Sequence, residues 1–281
     1  MDLKAIAHDT VAALEKGEYT APDGTVVPIA ALLAVCLNGT RAYLPEELAA
    51  LDAQVMQASH QPLATTFTVA SETTLQGCAR LLASSHYQRV GVLNFASAKH
   101  PGGGFLKGAR AQEESLARSS GLYPSLLRCP EFYAFHKAQE TCLYSDRMIY
   151  SPACPVIRDD NGNWLAQPAI VDIITSAAPN AGVVMQAEPA NRARITPTLI
   201  ERASKVLALV LSHDCDALVL GAWGCGVFQN DPTTVAAAFH THLAPGGNYA
   251  GRFRHVLFAI SDSTPSKATL NTFVHQFADL T

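Results

Sequence analysis

The chain is poor in charge. Of its 281 residues only 16% are Asp, Glu, Lys or Arg, against roughly 25% in an average soluble protein. Basic excess is missing as well: 20 Lys and Arg face 24 Asp and Glu, for a formal net charge of −4. That balance excludes broad electrostatic capture of a nucleic-acid backbone, so no direct nucleic-acid binding is expected. A small anionic ligand stays open, because oriented backbone amides bind phosphate without any net charge. Long apolar runs are also lacking. Val206–Leu211 falls far short of the ~20 residues that a membrane span needs. Asp2, Lys4, His8, Asp9 and Glu15 interrupt any leader-like core at the start, and no membrane association is expected. The cysteines (Cys36, Cys78, Cys129, Cys142, Cys154, Cys215 and Cys225) form no CxxC pair. Neither a zinc knuckle nor a redox motif is therefore present, and reduced thiols in a cytoplasmic protein are the expectation. His240 and His242 stand two apart, a helical spacing that faces them away from each other, and no metal site is expected.

What the chain has in quantity is apolar side chain. At 48% hydrophobic residues it is not disordered, and at this length folding hides about three quarters of the unfolded surface. Leu3, Ile6, Ala7, Val11 and Leu14 recur at helical intervals, so a helix opens the chain. Asp23-Gly24 between two short β-rich runs reads as a hairpin. A second helix is expected after Pro45. The polar stretch Gln57–Thr66 sets a soft boundary, dividing a small, mainly helical extension (residues 1–65) from the body (residues 66–281).

In the body the rhythm changes to strand, loop and helix. Thr66–Ala70, Val90–Asn94, Met148–Ser151, Ala169–Ile174, Ala217–Leu220 and His255–Ile260 are β-rich. Thr196-Pro197 and Asp231-Pro232 read as helix starts, and Gln112–Ser120 as a helix closed by Gly121. Apolar strands alternating with amphipathic helices predict an α/β fold, a mostly parallel mixed sheet between two layers of helices. Ligands of such folds gather outside the carboxyl ends of the strands.

Two loops at such ends stand out. The first, after Val90–Asn94, contains Pro101-Gly102-Gly103-Gly104 and leads into Gln112-Glu113-Glu114. Three successive glycines present N–H groups with no Cβ to block an approaching ligand. The loop is not a P-loop, because Gly108 and Ala109 follow Lys107, and it does not fit GxGxxG. A bare triple glycine also suits a flexible turn, and acidic residues in a first helical turn also simply complement the helix dipole. Neighbouring helical carboxyls spring from one side of a ligand, unlike a glycosidase pair that flanks its bond. One acid with an adjacent helper is the better arrangement. The second loop reads Gly221-Ala222-Trp223-Gly224-Cys225-Gly226-Val227-Phe228-Gln229-Asn230. It offers amides for an anion and an aromatic ring for a sugar or base. Cys225 has the type of a nucleophile, but no motif places a histidine beside it, and its small size suits a tight loop.

Together these segments resemble the microbial-type poly(ADP-ribose) glycohydrolases, a branch of the macrodomain superfamily. Their signature is GGG, six to eight residues, then QEE, and here seven residues separate Gly104 from Gln112. Asn94-Phe95-Ala96-Ser97, Thr175–Asn180, the Gly224–Phe228 loop and the start with Gly17-Glu18-Tyr19 add to the likeness, which spans nearly the whole chain.

The resemblance implies a macrodomain-like fold and a glycosidase that releases ADP-ribose from poly(ADP-ribose), with no cofactor and no metal. Gly102, Gly103, Gly104, Gly224, Cys225, Gly226, Val227 and Phe228 would hold the diphosphate and distal ribose, Phe228 packing on that ribose. Gln112 would stand with the substrate-binding set. Glu114 would be the general acid, and Glu113 would bind ribose hydroxyls and steady its neighbour. A nearby carboxyl and a bound diphosphate both disfavour a further negative charge at Glu114. The chain departs from the pattern at Ser97, Ala98 and His100, where relatives often carry Asn. Three other readings stay open: removal of single ADP-ribose units from modified proteins, for instance from arginine; a non-catalytic ADP-ribose-binding module; and an unrelated nucleotide-binding α/β enzyme.

Overall fold

The computed structural model describes residues 2–84 and 86–281. Helix α1 (Leu3–Lys16) starts where the Asp2 carboxylate accepts the amides of Lys4 and Ala5, and it ends at Gly17. The expected hairpin follows as β1 (Glu18–Thr20) and β2 (Val26–Pro28), paired antiparallel. Next comes α2 (Ala30–Gly39), which the pattern reading did not anticipate. Its residues Ala30–Leu37 are apolar on every side, so no amphipathic period betrays them. Strand β3 (Arg41–Tyr43) and α3 (Pro45–Gln57) complete this part.

The body runs β4 (Thr66–Ala70), α4 (Thr74–Ala83), β5 (Val90–Phe95), α5 (Gln112–Ser119), α6 (Leu122–Leu126), α7 (Pro130–Ala138), β6 (Met148–Arg158) and β7 (Trp164–Ser176). It continues with α8 (Ala181–Ala187), α9 (Ile195–Ser212), β8 (Ala217–Leu220), α10 (Pro232–Leu243), β9 (His255–Ala259) and α11 (Ala268–Gln276). Among the described residues, seven strands form one sheet in the order β3-β6-β7-β5-β8-β9-β4. The pairs β5–β7, β5–β8, β8–β9 and β4–β9 are parallel, while β6 runs antiparallel to both its neighbours. The sheet is thus mostly parallel and mixed, as the alternating rhythm implies.

Side-chain alternation splits the core in two. Leu93, Leu218, Leu220, Val256 and Phe258 face one layer, packed with residues of α3, α9, α10 and α11. Val92, Val219, Leu257 and Ala259 face the other, with residues of α4, α5, α6 and α7. Both faces being covered explains why these strands are apolar throughout. Residues 1–65 are knit into this body: β3 pairs with β6, Leu48 of α3 joins the first core, and Ala7 of α1 packs with Phe105 and Ala117.

Two helix boundaries differ from the pattern reading. Gly121 is no left-handed cap: its φ is −70°, and it opens α6. Helix α5 stops because Ser120 turns extended and bridges to Val156. Thr196 lies inside α9 rather than capping it, because a 3-10 turn (Pro189–Arg194) runs straight into the helix. The Asp231-Pro232 start stands as expected, with the Asp231 carboxylate accepting the Thr234 amide at 2.8 Å. Among the described residues, no helix is long and apolar enough to cross a membrane.

Candidate active site

Strands β5 and β8 are neighbours, so the loops at their carboxyl ends lie side by side. They share a cavity of about 1070 Å³, lined by Gly103, Gly104, Gln112, Glu113, Glu114 and every residue from Gly224 to Phe228. Gly102 is the one sequence-predicted residue that does not line it. It sits behind the loop, where any Cβ would press at 3.0 Å on the Phe105 ring and at 3.2 Å on Ala117.

The first loop exists to place two carboxyls. Gln112, at the start of α5, ties the helix to the strand: its Oε1 accepts the Phe95 amide at 2.9 Å, and its Nε2 donates to the Leu93 carbonyl at 2.8 Å and to Thr74 Oγ1 at 3.1 Å. Its amide is thereby committed to protein partners. Glu113 is buried, 3% exposed. The Ser97 amide donates to its Oε2 at 2.7 Å and Asn94 Nδ2 to its Oε1 at 3.3 Å. Burial nevertheless dominates and pushes the Glu113 carboxyl up to about 8, against the pull of those hydrogen bonds. Burial thus favours the neutral form of Glu113.

Glu114 stands at the cavity surface with its Oε1 accepting the Gly104 amide at 3.0 Å. Gly103 lies between the two acids. It has φ +59°, and a Cβ there would overlap Glu114 Oε1 and come within 3.2 Å of Glu113 Oε2. Only glycine leaves both carboxyls where they are.

The second loop is held from beneath. Trp223, 1% exposed, donates its indole N–H to the Ser176 carbonyl at 3.0 Å. Asn230, 2% exposed, donates to the carbonyls of Pro179 (2.8 Å) and Gly224 (3.1 Å). Gly224 has φ +72°, and a Cβ on it would sit 2.6 Å from that of Ala178. Val227 is 83% exposed at the loop tip. Phe228 is half-buried, its ring centroid 5.9 Å from that of Tyr144. Burial pushes the Cys225 thiol up to about 12, so it is no thiolate at neutral pH. His242 bonds the Ile200 carbonyl at 2.8 Å while His240 faces Asp279. Among the described residues, no three His, Cys, Asp or Glu side chains gather as metal ligands would.

Residues 7–159 match the family of microbial-type PARG catalytic domains, PARG being poly(ADP-ribose) glycohydrolase. The chain belongs to this family. It is 49% identical to the PARG of Thermomonospora curvata bound to the inhibitor ADP-HPD, with a TM-score of 0.91 over 98% of this chain and 99% of that one. Another structure of the Thermomonospora curvata PARG is 50% identical, with a TM-score of 0.92 over the same shares. The PARG of Deinococcus radiodurans in complex with ADP-ribose is 43% identical, with a TM-score of 0.83 over 89% of this chain and 98% of that one. No curated protein matches the sequence. The GGG and QEE segments of this family member are the two ends of the loop that carries Glu113 and Glu114.

Sequence reasoning singled out both loops but missed their supports. Asn94, Ser97 and Thr175 fall in segments that carry the resemblance, yet their roles need the fold: the Asn94 amide also donates to Thr175 Oγ1, at 3.1 Å. Ser97 holds Glu113 through its backbone and accepts the His100 amide on its hydroxyl at 3.2 Å. The loop after β9 is a third wall that no motif announced. Asp262 organises it, accepting from Thr264 (amide 3.0 Å, hydroxyl 2.7 Å) and from the Thr269 amide (2.9 Å).

Proposed function

We propose that this enzyme hydrolyses the ribose–ribose O-glycosidic bonds of poly(ADP-ribose) and releases ADP-ribose. The observation that carries the reading is the Glu114 carboxyl, held by the Gly104 amide at the wall of a cavity shared by two glycine loops. ADP-ribose, bound across those loops, brings its anomeric carbon to Glu114. Glu114 protonates the leaving oxygen as the bond to the anomeric carbon breaks. The ribosyl cation that forms is stabilised by the diphosphate, fixed nearby by backbone amides of Gly226, Val227 and Phe228 in the second loop; the Gly103 and Gly104 amides are instead committed to His100 and Glu114 and shape the first loop. Water adds to the cation, and its proton restores Glu114. Glu113, held by Asn94 and the Ser97 amide, binds the ribose hydroxyls and keeps its neighbour aligned. Phe228 covers the terminal ribose.

Both carboxyls spring from the first turn of α5, so neither stands across the sugar as a second nucleophile would. The unpaired cysteines support a reducing, cytoplasmic setting. Incubation with poly(ADP-ribose) and with proteins carrying single ADP-ribose units on Arg, Ser or Glu tests the reading. Free ADP-ribose from polymer is expected; release from the Arg substrate alone would replace the polymer by a mono-ADP-ribosylated protein. Binding without release from any substrate would make the chain a reader module.

A further inference from the structure

The cavity is electrically lopsided. Its acids beyond the catalytic pair, Asp160 and Asp262, are engaged: Asp160 accepts the Thr73 hydroxyl at 2.6 Å, and Asp262 holds the loop after β9. The second glycine loop, Gly221–Asn230, contains no charged residue at all. The cationic side chains on the wall, Lys107 and Arg110, both come from the loop that delivers Glu114. Both are exposed, and among the described residues neither takes part in an ion pair. Arg110 also lies close enough to Arg118 for their charges to repel. Cations left unpaired on the wall of one cavity, on an enzyme of net charge −4, are what an anionic ligand relieves.

Taking as given that Glu114 marks the scissile bond, Arg110 stands four residues before it and Lys107 seven, on the wall of the same cavity. We infer that Lys107 and Arg110 form a subsite for the second diphosphate of a polymeric substrate, the one belonging to the unit that departs. An ADP-ribose leaving group carries that diphosphate; an arginine side chain brings a guanidinium, which the same pair repels. The pair thus selects a phosphorylated leaving side, a preference that the glycine loops alone do not supply.

The test separates this subsite from the catalytic reading by measuring binding without turnover. In a Glu114→Gln background, affinities for a labelled poly(ADP-ribose) chain and for free ADP-ribose are compared with and without Lys107→Gln/Arg110→Gln. At low ionic strength the polymer is expected to bind about tenfold tighter than ADP-ribose, a margin that falls with added salt. The double variant is expected to lose that margin and its salt dependence, while ADP-ribose, which brings no second diphosphate, keeps its affinity within about twofold. A margin that survives the double variant, or one absent before it, overturns the subsite. Failure of the wild-type enzyme to cleave polymer instead overturns the proposed reaction and leaves the binding comparison standing. Equal thermal midpoints of the two proteins exclude misfolding as the cause.

Discussion

The Glu114 carboxylate accepts the backbone N–H of Gly104, ten positions earlier in the chain, at 3.0 Å, closing a loop that returns on itself. This contact fixes the acid relative to the amides that face the ligand, so proton donor and anion cradle move as one body. Glu114→Gln keeps the shape and an acceptor for Gly104 but has no proton to give. Turnover should fall by about 10²- to 10⁴-fold, with ADP-ribose affinity by calorimetry within a few-fold. Unchanged turnover would remove Glu114 from the chemistry.

Gly103 tests the geometry behind that acid. Gly103→Ala forces a side chain into a left-handed backbone at φ +59° and into the Glu114 carboxylate. The backbone cost is about 1–2 kcal/mol, read as a lower thermal midpoint. Displacement of the acid should cost roughly 10²-fold in turnover. An alanine variant with wild-type turnover would show that Glu114 need not sit where Gly104 holds it.

Glu113 predicts a pH dependence of stability. Its folded carboxyl is pushed up to about 8, above the unfolded value near 4.3. Between those limits the folded state keeps a proton that the unfolded chain has lost, so stability falls as pH rises through the window and levels off beyond it. Glu113→Gln removes this contribution. The difference in thermal midpoint, variant minus wild type, should therefore increase from pH 5 to pH 8. A flat difference would mean that Glu113 is ionised in the folded protein.

Asn230 is the support that no motif announced. Asn230→Ala strips the donors from the Pro179 and Gly224 carbonyls inside the protein. A loss of about 1–3 kcal/mol is expected, measurable by urea denaturation. ADP-ribose should bind more weakly as well, since the second glycine loop loses its anchor. Weakened stability with unaltered affinity would separate that loop from ligand binding.

Much of this molecule is legible along the chain, wherever a local signal is strong. Asp231-Pro232, Asp23-Gly24 and the alternating strands carry their own instructions. Gly102–Gly104 and Gln112–Glu114 reveal themselves by spacing. The failures share a cause, which is contact between residues far apart. Helix α2 is hidden by uniform apolarity, and Ser120 leaves the helix because it meets Val156. That Gln112 braces a strand, and that Glu113 is held by hydrogen bonds while buried, depend on Leu93, Asn94 and Ser97 arriving from another element.

Ala7 packs in one small apolar cluster with Phe105 and Ala117. A Cβ on Gly108 would meet the Lys4 backbone nitrogen at 3.6 Å. Ala13 and Leu14, at the end of helix α1, pack with Tyr19, Val27 and Leu33 close by in the chain, but Ala7 meets its partners only once the catalytic loop and α5 have arrived. The loop likewise has no floor until α1 docks. Assembly of the active site is therefore a late, long-range event in folding. A chain whose first helix is pulled away should lose its acid-bearing loop before it loses its sheet.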